Sequence, residues 1–71
     1  MSLASVKNGQ KVKIVSADAG EGLRGRLAAM GLISGVEIEV LRNAMHGPLL
    51  ISVKGSRMAL GRGMAQKIIV A

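Results

Sequence analysis

The stretch from Gly20 to Gly25 carries the glycine pattern G-x-G-x-x-G, and Glu39 follows it downstream. In dinucleotide-binding folds this pattern lets the backbone approach a pyrophosphate, and a later acidic residue binds the ribose. That chemistry needs a parallel βαβ unit in a doubly wound sheet, and 71 residues are about half of what such a sheet requires. The sequence therefore favours a packing role, in which the glycines let a short helix lie close to a sheet.

Metal and catalytic chemistry have few candidate side chains. The chain has one histidine, His46, and no cysteine, and the nearest carboxylates in the sequence are Glu37 and Glu39. Because a transition-metal site normally needs three or four converging ligands, His46 is expected in a solvated loop, with adventitious or intermolecular metal binding as the alternative. No serine has a histidine placed to act as its base. We expect no catalytic residue, no cofactor and no metal site, and hence no enzyme.

The charge of the chain indicates an anionic partner. Lys and Arg number 10 against 4 Asp and Glu, a formal net charge of +6, which would attract nucleic acid, anionic lipid or an acidic protein. Aromatic residues are absent, so the usual stacking of bases on aromatic rings has no side chains to use. The arginines expected to face outward together, as a solvated surface or as a docking patch, are Arg24, Arg26, Arg57 and Arg62.

Size and composition predict one small cytoplasmic domain spanning 1–71. Hydrophobic residues make up 49% of the chain, which is enough for a folded core. The first ten residues lack the apolar core of a signal peptide, and no apolar run reaches the roughly 18 residues of a membrane span. The lack of cysteine argues against a secreted, disulfide-bonded scaffold.

The first half of the sequence predicts a strand followed by a helix. Apolar residues alternate over 10–16, with Val12 and Ile14 on one side, as in a half-buried strand. A helix is predicted from about 19 to 30, where Asp18 and Glu21 resemble a capping box. Its apolar stripe consists of Leu23, Leu27 and Met30. Gly31 then predicts a left-handed stop, with Leu32 returning to contact Leu27.

Short strands dominate the second half. Alternation and turn residues predict a loop at 43–47, a two-residue turn at Gly55–Ser56, a helical turn at 61–66, and strands at 36–42, 48–53, 57–60 and 67–70. Five short strands can bury enough surface only by curling on themselves. The fold class is therefore mostly β: a small SH3-like barrel of about five antiparallel strands with one short helix inserted after the first strand. A ferredoxin-like sandwich would need a second full helix.

The order of these small and apolar residues resembles the FeoA family over nearly the whole chain. The matching positions are Leu3, Gly9, Ile14, Leu27, Met30–Gly31, Leu32, Gly35 with Val36–Glu37–Ile38, Gly47–Pro48, Leu49 to Val53, Gly55–Ser56, Leu60, Ala65 and Ile68–Ile69–Val70. The pair Met45–His46 departs from the bulky apolar or aromatic residue that relatives often place before the Gly-Pro.

This resemblance implies an SH3-like barrel and a non-enzymatic accessory protein of bacterial ferrous iron uptake. Its implied partner is FeoB, a membrane iron permease with a cytosolic GTP-binding domain, so contact with the membrane would be indirect. Two alternatives remain: a metal-linked regulatory module similar to the C-terminal domain of DtxR-type repressors, and a basic RNA-binding barrel. Nucleic acid is not the expected partner, because the aromatics are missing. Homo-oligomers are compatible with unpaired strand edges.

A docking surface is predicted around the end of the helix. Ile33 is apolar but lies in a tight turn between elements, where burial within one chain is difficult. Together with Leu32 it would supply an apolar anchor, while Arg24 and Arg26 would supply a charged rim.

Overall fold

The computed structural model describes residues 1–17, 20–44 and 46–71, apart from the side chain of Glu21. The strands are β1 (Lys11–Ala17), β2 (Glu37–Arg42), β3 (Leu49–Val53), β4 (Ser56–Leu60) and β5 (Ile68–Val70), and the helices are α1 (Glu21–Ala29), α2 (Arg62–Ala65) and a 3₁₀ turn at Leu3–Ser5. The predicted five strands and the helix after the first strand are confirmed. The 3₁₀ turn was not predicted. No helix among the described residues is long and apolar enough to cross a membrane.

All neighbouring strands are antiparallel in one five-stranded sheet of order β4-β3-β2-β1-β5. β1 changes partner along its length: Lys11 to Lys13 pair with β2, and Ile14 to Ala17 pair with β5. The register with β5 shifts between Ile14 and Ser16, which leaves Val15 as the extra residue of a bulge. A bulge bends its strand and redirects a side chain, and this one lies beside the candidate site.

The core is built from the inward side of the alternating strands. Val12 and Ile14, predicted on one side of the first strand, are buried, and Val36, the first residue of the strand predicted at 36–42, is partly buried. The buried residues are Leu3, Val6, Val12, Ile14, Leu27, Leu32, Ile38, Val40, Leu49, Ile51, Val53, Leu60, Ala65, Ile68 and Val70. The helix stripe packs as predicted, with Leu27 buried and Leu23 and Met30 partly buried against the core. Aliphatic side chains therefore fill the interior without any aromatic ring.

The two ends of α1 differ in how well the sequence predicts them. Gly20 is the N-cap residue, and α1 begins at Glu21 rather than at about 19. The predicted capping box falls on Asp18 and the side chain of Glu21, which lie outside the described residues. At the other end Gly31 has φ 83°. The Leu32 N–H donates to the Leu27 carbonyl at 2.9 Å, and the Gly31 N–H donates to the Ala28 carbonyl at 2.9 Å. These two bonds form the predicted Schellman motif.

The turn between β3 and β4 lies one residue earlier than predicted. Val53 pairs with Ser56, so the turn residues are Lys54 and Gly55, with φ 51° and 82°. Positive φ at both positions is the type I′ geometry, whose twist matches that of the strands. The prediction placed the glycine first in the turn, whereas Lys54 occupies that left-handed position.

Candidate docking groove

One groove of about 370 Å³ opens between β1, α1 and the loop that follows α1. We call it the groove; its lining residues are 14–17, Arg24, Leu27, Ala28, 32–34 and Ile68. The buried side chains of Leu27, Leu32 and Ile68 form its floor. An apolar floor of this kind fits an apolar side chain from a partner better than a polar substrate.

Two half-exposed aliphatic side chains lie in the groove. Val15 is 49% exposed and Ile33 is 51% exposed, and both are lining residues. Removing the exposed half of each from water would contribute about 1 kcal/mol per side chain. The groove therefore holds two of the three large apolar side chains that are exposed in the described part of the chain, the third being Met1.

Backbone hydrogen bonds hold Ile33 in place. The Gly35 N–H donates to the Ile14 carbonyl at 2.7 Å, and the Ile14 N–H donates to the Val36 carbonyl at 2.9 Å. The Val36 N–H donates to the Ile33 carbonyl at 3.2 Å. These bonds join the loop to β1 just after Ile33. The backbone that carries the half-exposed Ile33 side chain is therefore fixed.

Arg24 supplies the positive charge beside the groove. Its Nε donates to the Ala17 carbonyl at 3.2 Å, which orients the guanidinium along the end of β1. The side chain is exposed, so its remaining N–H groups can meet a carboxylate. A rim cation of this kind affects mainly the association rate and the choice of partner.

The structure brings together three of the four predicted docking residues. Arg24, Leu32 and Ile33 line the groove, and Arg26 does not. Leu32 is only 4% exposed, so it forms the floor rather than an exposed anchor. Val15 was missed as a site residue: its alternation with Lys13 indicated a solvent-facing position, but only the pairing of β1 with β5 reveals the bulge beside the groove.

The predicted grouping of four outward arginines is wrong for Arg62. Its Nη2 donates to Asn43 Oδ1 at 2.8 Å and also to the Ala44 carbonyl, and its Nε is buried. Arg62 therefore has a structural role in holding the chain after β2 against α2. Arg57 is exposed on β4 and is not a lining residue of the groove.

The glycine pattern does not serve close packing, contrary to the prediction. A Cβ placed on Gly20, Gly22 or Gly25 would meet no heavy atom within 4 Å beyond the helix backbone near it. His46 is exposed, and within residues 1–17, 20–44 and 46–71 no three His, Cys, Asp or Glu side chains cluster closely enough to hold a metal ion. The described surface therefore offers the groove, rather than a ligand cluster, as its candidate site.

Comparison with known proteins identifies the family. A family model described as "FeoA domain" matches residues 1–71. The chain belongs to the FeoA domain family. It is 47% identical over 68 residues to the "Putative Fe(2+) transport protein A" of Methanocaldococcus jannaschii, covering 96% of this chain and 82% of that protein.

Solved structures of the FeoA family share the fold. The crystal structure of an iron uptake regulatory protein, FeoA, matches with a TM-score of 0.93 and 37% identity over 99% of this chain and 93% of its own. The zinc complex of Stenotrophomonas maltophilia FeoA, described as an SH3 domain protein, matches with a TM-score of 0.86 and 24% identity, covering 100% of this chain and 89% of that one. The predicted SH3-like fold is confirmed.

Proposed function

We propose that this chain is a non-enzymatic cytoplasmic accessory protein of ferrous iron transport that docks onto a FeoB-type permease. The docking site is the groove, and its target is the cytosolic GTP-binding domain of the permease. One observation carries the proposal: Val15 and Ile33, both about half exposed, lie in the same apolar groove as Arg24. The family and the iron(II) transport name of a relative at 47% identity supply the biological setting.

The groove has the chemistry to take one apolar side chain and one carboxylate of a protein partner. Its floor is aliphatic, and its charge comes from one exposed arginine whose orientation is fixed by Ala17. The partner would insert an apolar side chain between Val15 and Ile33 and place a carboxylate against Arg24. Because a groove of about 370 Å³ accepts only one or two side chains, the interface is expected to be small, as in transient signalling contacts.

An NMR titration tests the proposal. The ¹⁵N-labelled chain is titrated with the GTP-binding domain of the permease from the same organism, without nucleotide, with GDP and with a non-hydrolysable GTP analogue. Amide shifts at Val15, Arg24 and Ile33 are expected, and their dependence on nucleotide shows which state is bound. No shift at high concentration of the domain would reject direct docking to it.

Two matched substitutions separate the groove from its surroundings. Ala28 lines the groove, whereas the neighbouring Ala29 is exposed outside it. Ala28→Asp should weaken binding, and Ala29→Asp should leave it unchanged although both add one negative charge to α1. Equal weakening by both variants would mean that charge alone attracts the partner. Steep weakening of that binding with salt would then show that screened charge, rather than the apolar groove, controls it.

A further inference from the structure

The two edges of the sheet differ in how they are covered. At the outer side of β5, the Val70 N–H donates to the Met1 carbonyl at 2.8 Å and the Met1 amino group donates to the Val70 carbonyl at 3.3 Å. Ser2 forms a bridge with Ile69. The start of the chain therefore occupies the β5 edge, and β4 forms the other edge of the sheet.

The register of the β3–β4 hairpin shows which backbone groups of β4 point away from the sheet. A two-residue turn makes its flanking residues, Val53 and Ser56, a hydrogen-bonded pair. Pairs alternate along an antiparallel ladder, so Met58 also bonds to β3, while the N–H and C=O groups of Arg57 and Ala59 point outward. The pairing of β3 with β2 agrees with this: Ser52 lies opposite Glu39 of β2 and opposite Arg57 of β4, and its N–H and C=O groups point towards β2 rather than β4. Within the described residues no strand lies on the outer side of β4, and no turn or loop backbone bond reaches these outward groups.

The side chains along this edge have a definite chemistry. Arg57 and Ala59 are exposed on the outer face of the sheet, and Met58 is half-buried on the inner side against the core. Arg57 faces Ser52 across the strand pair, so no carboxylate lies directly opposite it. Lys54 adds a second exposed positive charge in the same hairpin. The edge thus combines two free backbone donors and acceptors with a positive outer face and an apolar inner side.

We infer that β4 is a strand-addition site for an extended segment of another protein in which acidic and aliphatic residues alternate. Such a segment would pair with the outward backbone groups of Arg57 and Ala59. Its carboxylates would lie on the outer face near Arg57, and its aliphatic side chains would pack on the inner side against Met58. Backbone pairing supplies affinity in this mode of recognition, and alternate side chains supply specificity.

The same charges disfavour a second copy of this chain as the occupant. Antiparallel self-pairing centred on Met58 would place Arg57 opposite Ala59 of the second copy, with the two Arg57 side chains as diagonal neighbours. Diagonal neighbours lie within reach of long side chains, so the two guanidinium groups would repel each other, and each chain already carries a net charge of +6. A charged residue on an edge strand protects against such self-association but favours an acidic segment. The β4 edge shares no residue with the groove, so this assignment does not depend on docking to a permease.

A capped eight-residue peptide of alternating glutamate and valine is the probe. Titration into the ¹⁵N-labelled chain should shift the amides of Arg57 and Ala59 and slow their exchange with solvent. Methylating the peptide nitrogens that face β4 keeps the charge but removes the donors, and should weaken binding about tenfold. A peptide of alternating lysine and valine should not bind. Equal binding of the methylated peptide would overturn strand addition.

Two variants test the residues, with a third as a control. Ala59→Pro removes an N–H that points outward, so pairing with β3 is kept, and peptide binding should be lost. Arg57→Glu should weaken the acidic peptide about twofold to fivefold. Lys67→Glu makes the same change of charge just before β5, outside β4, and should have no effect. Peptide shifts at the groove instead of β4, or concentration-dependent shifts at Arg57 without peptide, would overturn the assignment.

Discussion

Asn43 accepts a hydrogen bond from Arg62 Nη2 at 2.8 Å, and this pair joins the end of β2 to α2. The Asn43 amide group also donates to the carbonyls of Ala4 at 2.9 Å and Val6 at 2.7 Å. The Asn43 N–H donates to Asn8 Oδ1 at 2.6 Å. One side chain therefore fixes the start of the chain, the end of β2 and α2 relative to one another.

Asn43→Ala should destabilise the fold by about 2 to 4 kcal/mol, because it removes three side-chain hydrogen bonds and leaves partly buried groups without partners. Urea denaturation measures the loss. Asn43→Asp keeps the acceptor for Arg62 but removes both donors to the first residues of the chain. Its second carboxylate oxygen would face the Ala4 and Val6 carbonyls, which repel it, so it should cost at least as much as alanine. A smaller cost than alanine would show that the bond from Arg62 outweighs the two lost donors.

Lys54→Asn should stabilise the β3–β4 hairpin by about 0.5 to 1 kcal/mol, since asparagine tolerates the left-handed region better than lysine does. Lys54 has φ 51° and is followed by Gly55 at φ 82°. Thermal unfolding followed by circular dichroism measures the change. Gly55→Ala is the opposite control and should lower the melting temperature. A melting temperature unchanged by Lys54→Asn would contradict strain at this position.

The buried Leu27 and the half-exposed Ile33 of the groove should respond differently to substitution. Leu27 is 1% exposed, whereas Ile33 is 51% exposed. Leu27→Ala should lower the free energy of unfolding by about 2 to 5 kcal/mol. Ile33→Asp should lower it by only about 1 kcal/mol, because about half of that side chain is buried, while weakening partner binding. Chemical denaturation and the NMR titration together measure both effects, and unchanged affinity in Ile33→Asp would remove the groove from the docking surface.

The strands and the end of α1 could be predicted because their signals are local. Alternation identifies Val12 and Ile14 as inward residues, and Gly31 supplies the left-handed stop that the hydrogen bond from Leu32 to Leu27 completes. The groove could be predicted only in part. Ile33 follows from the helix stop, but the position of Val15 depends on the shift in register between β1 and β5, which the sequence of β1 alone does not contain.

The burial of Leu3 and Val6 likewise depends on contacts distant in sequence. Asn43 binds the carbonyls of Ala4 and Val6 from 39 and 37 residues away. No period in the first residues signals this packing, because a 3₁₀ turn of three residues is too short to show one. The role of Arg62 is hidden for the same reason, since an arginine between two glycines looks like a surface residue.

Alanine at the glycines of α1 should have effects of opposite sign inside the helix and at its end. Gly22 and Gly25 lie within α1, and an added Cβ would meet open space at each. Gly22→Ala and Gly25→Ala should each stabilise the chain by about 0.5 to 1 kcal/mol, because alanine loses less backbone entropy on forming a helix. Gly31 has equally open space but φ 83°, so Gly31→Ala should destabilise by about 1 to 2 kcal/mol.

Urea denaturation of these three variants isolates backbone conformation as the cause, because all three substitutions add the same methyl group to open space. Stabilisation by Gly31→Ala would contradict the left-handed stop, and destabilisation by Gly22→Ala or Gly25→Ala would contradict the open surface.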